Sequence, residues 1–322
     1  MDSQNIITQE SLLTGSDFEV LEASLDQAQT RSNEPDADVQ CGVITDRGRH
    51  SSYKVQALLK TCIHGVLDAK SNKPASLIIV DYSLSNLKEN GHYSSVTTII
   101  DFKPYMEDEG LGDVDENPLD TPNVTAYAPF EKPERWDLTT AKKDSKHRFD
   151  SSIEPEYSGI KAVKISYTYE TAISHEQRYF SQGLAGRHFI REGPAKNIAD
   201  QVWWNLQHNF CQQSGVPLRF RTAILVTRHA EAANAKFQAR FNIAVRGGIG
   251  KMMSDMINVF LRRNVPDKPV VFDPQIKLVG DKLEGIEPNA DGVYELGHLA
   301  QGRELVKLCE VWGLNPLQMS QD

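Results

Sequence analysis

The chain lacks the short motifs that mark common catalytic and metal-binding sites. Its four cysteines are far apart and form no CxxC pair, which disfavours a zinc or iron–sulfur site. The nine histidines are scattered without an HxH or HExxH pair, so a metal site would have to be assembled by the fold. No GxSxG elbow is present either. We therefore predict no metal, no cofactor and no recognisable catalytic residue, and we favour a protein that is not an enzyme.

Long apolar runs and an excess of positive charge are also missing. No stretch approaches the roughly 18 apolar residues that a membrane-spanning helix needs. The N-terminus, MDSQN, has no basic region followed by an apolar core, so it does not predict a secretory signal. The 35 basic and 44 acidic residues give a formal net charge of -9, without the basic footprint of a nucleic-acid binder. The sequence predicts an acidic, cytoplasmic protein with no transmembrane segment and no nucleic-acid partner.

Alternating apolar and polar residues dominate the middle of the chain. In residues 217–228 and 235–245, apolar side chains recur at every second position, which is the period of a half-buried strand. Two further β-rich runs, 76–84 and 94–102, are joined by a loop containing Asn-Gly, the typical turn of a hairpin. Many alternating strands, hairpin links and few helices predict a mainly β protein, an antiparallel β-sandwich with a few packing helices.

One domain accounts for most of the sequence. Residues 1–37 are polar and acidic and predict a disordered N-terminal tail, whereas residues 38–318 predict a single β-sandwich-like domain. Polar stretches near 103–122 and 137–156 interrupt the strand pattern and are interpreted as loop insertions. A closing helix is expected over about 302–312.

The segment IAVRGGIGKMM has the order of parts of a phosphate-binding loop: strand, glycines, lysine and helix. Residues 246–251 resemble the variant loop of partitioning ATPases, and the residues that would contact an anion are Arg246, Gly247, Gly248, Gly250 and Lys251. Nucleotide binding is nevertheless disfavoured, because Met252 stands where a magnesium-binding hydroxyl is needed. The preceding strand also alternates, whereas the buried parallel strand of a nucleotide fold is apolar on both faces. We interpret the glycines as a turn that opens a packing helix over about 248–263, and another anion site at the start of that helix remains an alternative.

Two adjacent tryptophans, Trp203 and Trp204, lie in one of the predicted strands. Neighbouring residues of a strand point to opposite faces, so one ring can fill the core while the other lies outside it. An exposed tryptophan beside Asn205 and His208 can stack on a sugar or anchor a protein partner. The alternative is that one of the packing helices covers the outer ring.

Several segments resemble uncharacterised proteins of filamentous (ascomycete) fungi. They are HGVLDAKSNKPASLIIVDYSL (64–84), VTAYAP (124–129), KISYTYE (164–170), QVWWNLQHN (201–209), PLRFRTAILVTR (217–228) and VWGLNPL (311–317). The resemblance covers residues 39–318 and implies one continuous domain and a fungal source. It implies no activity and no catalytic residues.

Three functional hypotheses follow from the sequence. The first, which we favour, is an intracellular non-enzymatic β-sandwich protein that binds a protein partner or a small ligand. The second is an enzyme of unrecognised type, whose pocket the fold assembles from His, Cys and carboxylate side chains. The third is a carbohydrate or glycolipid binder that uses an exposed tryptophan. The sequence leaves the identity of the ligand or partner and the oligomeric state open.

Overall fold

Strands form most of the chain that the computed structural model describes, which comprises residues 42–47, 53–86, 91–105, 120–152, 166–193, 195–212, 215–247 and 269–311. The strands are β1 (Val43–Arg47), β2 (Tyr53–Val66), β3 (Pro74–Asn86), β4 (Tyr93–Pro104), β5 (Asn123–Ala128), β6 (Glu134–Ser152), β7 (Ser166–His188), β8 (Gln201–Gln207), β9 (Arg219–Thr227), β10 (Phe237–Gly247), β11 (Val270–Phe272), β12 (Leu278–Gly280) and β13 (Glu310–Val311). Within these ranges the chain also forms one short α-helix, α1 (Gly302–Val306), and 3-10 turns at Ala230–Ala232 and Gly297–Ala300.

The strands are arranged in two antiparallel sheets. Sheet A has seven strands in the order β1-β2-β3-β9-β13, with β12 paired to β2 and β5 paired to β9. Sheet B has six strands in the order β11-β10-β4-β8-β7-β6. The pairings between these strands are all antiparallel. The prediction of a mainly β, antiparallel sandwich is therefore confirmed.

A continuous apolar core lies between the two sheets. Sheet A contributes alternate residues of its central strands, such as Ile78 and Ile224, and sheet B contributes Val202, Trp204 and Phe241. The hydroxyl groups of Tyr82 in sheet A and Thr98 in sheet B, 3.2 Å apart, form a hydrogen bond across this core. Burying one side of each strand is what produces the period of two in the sequence.

The outer side of sheet A carries a second apolar cluster. Leu77 and Ile79 of β3 point away from the first core and pack with leucines near the C-terminal end of the described chain, namely Leu296, Leu299 and Leu305. Strand β3 is consequently buried at every position from Pro74 to Val80, because both of its faces are covered. The C-terminal part of the described chain therefore covers sheet A rather than sheet B.

The closing helix is shorter than the sequence analysis expected. Helix α1 ends at Val306, and Glu310 and Val311 then pair with Arg221 and Phe220 of β9. The edge of sheet A thus supplies backbone hydrogen bonds that a longer helix would have made internally. The expected packing helix over 248–263 and the expected N-terminal tail over 1–37 lie outside the described residues, as does the 106–119 part of the insertion near 103–122.

Strands β6 and β7 extend beyond the rest of sheet B. They pair with each other from Glu134 and Gly183 to Ser152 and Ser166, whereas β8 pairs with β7 only over Gln182–His188. The two-stranded part, residues 139–152 and 166–179, is called the ribbon below.

Part of the ribbon falls in the segment near 137–156 that the sequence analysis interpreted as a polar loop insertion. The structure instead has a strand as far as Ser152. Polar residues occupy both alternating sets of positions in this segment, so the sequence shows no apolar face with a period of two. The strand is identified by its pairing with β7.

Candidate functional site

Strand β8 presents opposite faces to the core and to the outside. Its burial alternates strictly along QVWWNLQ, with Val202, Trp204 and Leu206 buried between the sheets. Trp204 is completely buried, donates its indole N–H to the carbonyl oxygen of Pro129 at 3.0 Å, and packs edge-on against Tyr127. Of the two tryptophans singled out from the sequence, Trp204 is thus a core residue.

Trp203 lies on the outer face of sheet B and is partly exposed. In the register it stands between Ile99 of β4 and Gly186 of β7. A Cβ atom placed on Gly186 would lie 2.8, 2.9 and 3.0 Å from three atoms of the indole, Cζ2, Cε2 and Nε1. These three atoms are consecutive along one edge of the indole, so that edge lies directly against the backbone of Gly186. The glycine therefore leaves the space that the indole occupies on this face.

Polar side chains surround the Trp203 ring on the same face. Asn205 donates to the hydroxyl oxygen of Thr97 at 2.7 Å, and Gln201 donates to the carboxylate of Asp101. Further along, Gln182 donates to Gln207 at 2.8 Å. We call the set Thr97, Ile99, Asp101, Gln182, Leu184, Gly186, His188, Gln201, Trp203, Asn205 and Gln207 the outer face of sheet B. Its amides and carboxylate hold one another in place around a flat aromatic ring.

His208 does not belong to this face, although the sequence placed it near the tryptophans. It follows the end of β8 and is 3% exposed, with its ring 5.1 Å from that of His92 and 4.8 Å from that of Phe210. Burial, and then the neighbouring His92, lower the pKa of His208. Its Nδ1 atom has no hydrogen-bond partner among the residues that the structure describes. The structure thus brings Trp203 and Asn205 together and separates His208 from them.

The glycine loop is described only at its beginning. Arg246 and Gly247 are the last residues of β10 and are paired with Ser95 and Tyr93 of β4. A Cβ atom on Gly247 would overlap the backbone of His92, so close packing of two strands accounts for this glycine. Gly248, Gly250 and Lys251 lie outside the described residues.

A cluster that the sequence analysis did not single out lies inside the sandwich. Cys62 and His64 are two residues apart on β2, and Ser76 stands opposite His64 on β3. The thiol of Cys62 is 3.4 Å from Nε2 of His64, and the other ring nitrogen is 2.7 Å from the hydroxyl of Ser76. This order of groups is that of a nucleophile, a base and a residue that orients the base.

The surroundings of the Cys62–His64–Ser76 cluster oppose catalysis. All three side chains are at most 1% exposed, so no substrate reaches the thiol. Burial raises the pKa of Cys62 far above its usual range and lowers that of His64 to about 3. A reactive cysteine needs the opposite, namely a thiol pKa lowered towards neutrality. The cluster is a hydrogen-bonded part of the core.

Two other kinds of feature are absent from the described chain. No three His, Cys, Asp or Glu side chains in it are grouped so as to hold a metal ion. None of its helices has both the length and the apolar character required to cross a bilayer.

Comparisons with known proteins do not identify the chain. It matches no family model and no curated protein. Among solved structures it has 7% identity and a TM-score of 0.22 to the NetB toxin of Clostridium perfringens in its membrane-inserted form, over 64% of this chain and 85% of that one. It has 11% identity and a TM-score of 0.21 to Clostridium perfringens delta-toxin, over 78% of this chain and all of that one. Likeness at this level carries no conclusion about function.

Proposed function

We propose that the protein is a non-enzymatic binding protein, and that the outer face of sheet B around Trp203 binds a carbohydrate. The observation that carries the proposal is the partly exposed indole of Trp203 lying against Gly186 among polar side chains. An aromatic ring offers a broad apolar surface to the C–H face of a sugar. Amide and carboxylate groups beside it can exchange hydrogen bonds with the sugar hydroxyls.

The polar groups of this face are already ordered before any ligand arrives. The pairs Asn205–Thr97 and Gln201–Asp101 are hydrogen-bonded on rigid neighbouring strands. Less side-chain entropy is therefore lost when a ligand binds. The face also spans three strands, β4, β8 and β7, or about 10 Å between the outer two at the usual strand spacing. This width favours a chain of sugar units over a single sugar.

The alternative of an enzyme has less support. The Cys62–His64–Ser76 cluster pairs a nucleophile with a base, but it is buried with a neutral thiol and a neutral imidazole. The outer face of sheet B offers amides, a hydroxyl, a carboxylate and an indole, which are groups suited to recognition. We therefore prefer binding to catalysis.

Substitution of Trp203 by alanine is expected to weaken carbohydrate binding by about 30-fold or more, the loss typical of a central aromatic contact. A glycan array covering fungal, plant and animal glycans would be screened with the wild-type protein. The strongest binder would then be titrated by calorimetry into the wild type and into Trp203→Ala. If no glycan binds, or if Trp203→Ala binds as tightly as the wild type, the proposal is wrong.

Two further variants make the test specific. Gly186→Ala retains Trp203 but forces its ring off the sheet, because the new methyl group would lie within 3 Å of the indole; we expect weaker binding. Phe210→Ala removes an aromatic ring that is 66% exposed but lies in the loop after β8, where it packs against His208. It is the matched control and should bind like the wild type.

A further inference from the structure

In the described part of the chain, the ribbon has two long edges that carry no neighbouring strand. β6 is the terminal strand of sheet B, and β8 accompanies β7 only over Gln182–His188. Within the described chain, no strand pairs with the outer edge of β6 or, along the ribbon, with the edge of β7 that faces away from β6. Each edge carries backbone N–H and C=O groups in the geometry that a further strand can use.

The length of the ribbon makes these edges large. Residues 139–152 of β6 extend for about 45 Å at the usual rise per residue. A two-stranded ribbon is marginally stable by itself in water, and a third strand adds the pairing that it lacks. A strand docked on either edge would therefore stabilise the ribbon along its whole length.

The base of the ribbon is held in place by a hydrogen-bond network. Asn209, which is fully buried, donates through Nδ2 to the carbonyl oxygen of Asp137 at 2.5 Å and to the hydroxyl of Thr139 at 3.0 Å. Its backbone N–H donates to Ser181 at 2.9 Å, and the Ser181 hydroxyl donates to the Asp137 carboxylate at 3.3 Å. Asp137 sits at the bulge between β6 and β7 with a φ of 54°. The network fixes the point at which the ribbon leaves the sheet.

The sequence gives the two strands of the ribbon opposite charges. Residues 139–152 contain four basic and two acidic residues, a net +2, and residues 166–179 contain one basic and two acidic residues, a net -1. In the register of the hairpin, Lys142 stands opposite Glu176 and Arg148 opposite Glu170. Like charges opposite one another destabilise strand pairing and unlike charges stabilise it. Two β6 edges would therefore repel, whereas a β6 edge and a β7 edge are complementary.

We propose that the ribbon associates with a second copy of this chain, with β6 of one copy pairing antiparallel to β7 of the next. A rotation about an axis along the ribbon brings these edges together and sets the basic sequence of β6 beside the acidic sequence of β7. The contact joins two different edges, so every copy added still presents one free edge of each kind. Association of this type gives a ring if the rotation closes and an open filament if it does not. The inference is independent of carbohydrate binding.

A charge-swapped variant tests the contact between copies. The substitutions Lys142→Glu, Arg148→Glu, Glu170→Lys and Glu176→Lys exchange the charges of β6 and β7. Pairing within the hairpin keeps its opposite charges, so the variant should fold, which circular dichroism would verify. Wild type and variant would each be labelled with a different fluorophore and measured alone and mixed, by mass photometry and two-colour cross-correlation.

We expect each protein to self-associate and the mixture to sort into separate assemblies. A contact between a wild-type copy and a variant copy places two basic edges or two acidic edges side by side. Assemblies that contain both proteins should therefore be at least about tenfold rarer than random mixing would give. Two results would overturn the proposal. One is a wild-type protein that stays monomeric at every concentration tested, and the other is free mixing of the two proteins, which would place the contact elsewhere.

Discussion

Replacing Trp204 by alanine is expected to lower the free energy of unfolding by about 3–5 kcal/mol, the usual cost of removing a large aromatic side chain from a core. Trp204 is completely buried and is surrounded by residues of both sheets. The substitution removes that packing and leaves the carbonyl oxygen of Pro129 without the indole N–H that it accepts in the native protein. The measurement is urea unfolding followed by far-ultraviolet circular dichroism, which does not depend on the tryptophan signal.

The neighbouring residue provides the matched comparison. Trp203→Ala removes an equally large ring from the outer face of sheet B, where it is partly exposed, and should cost no more than about 1 kcal/mol. Trp204→Phe retains most of the packing but removes the indole N–H, and we expect an intermediate loss of stability. Equal losses for Trp203→Ala and Trp204→Ala would contradict the assignment of the two rings to opposite faces.

Acid is expected to destabilise the protein through His64. Burial, and then the positive charges of Arg228 and Lys277, lower the pKa of His64 from 6.5 to about 3, with Asp273 acting weakly in the opposite direction. Between these two values the unfolded chain binds a proton that the folded protein does not. The stabilisation by neutral His64 is therefore complete above pH 6.5 and is lost progressively as the pH falls towards 3.

The variant His64→Gln separates this effect from general acid denaturation. Between about pH 7 and about pH 5, the wild type should lose about 2 kcal/mol more stability than His64→Gln, because glutamine does not titrate. The variant itself starts from a lower stability, since it disturbs the contacts with Cys62 and Ser76. His298→Gln changes an exposed histidine and is the control, expected to show the wild-type difference between the two pH values. If His64→Gln shows that difference as well, His64 is not the group responsible.

The alternation in β8 illustrates what the sequence could predict. Period two alone placed Trp203 and Trp204 on opposite faces. The apolar residues Val202 and Leu206 alternate onto the same face as Trp204, whereas the polar residues Gln201 and Asn205 alternate onto the same face as Trp203. The sequence therefore also indicated which of the two rings is buried. His208 is four residues after Trp204, so the same alternation places it on the inner face and apart from the outer face of sheet B.

Features that depend on contacts distant in sequence could not be predicted in this way. Strand β3 is covered on its second face by leucines more than 200 residues further along the chain, and nothing local to β3 indicates their position. The sequence of residues 139–152 has no apolar face with a period of two, so only its pairing with β7 distinguishes β6 from a polar loop. Cys62 and His64 are a visible pair two residues apart, but placing Ser76 beside them required the register of β2 and β3.

The role of Trp203 as a carbohydrate platform is tested most directly by nuclear magnetic resonance of the indole N–H groups. The chain has four tryptophans, and the signal of Trp203 can be assigned by its disappearance in Trp203→Phe. During titration with the glycan that binds best, we expect the Trp203 signal to shift in a saturable way while that of the buried Trp204 stays in place. Saturation of binding with an unchanged Trp203 signal would contradict the assignment of the outer face of sheet B as the carbohydrate site.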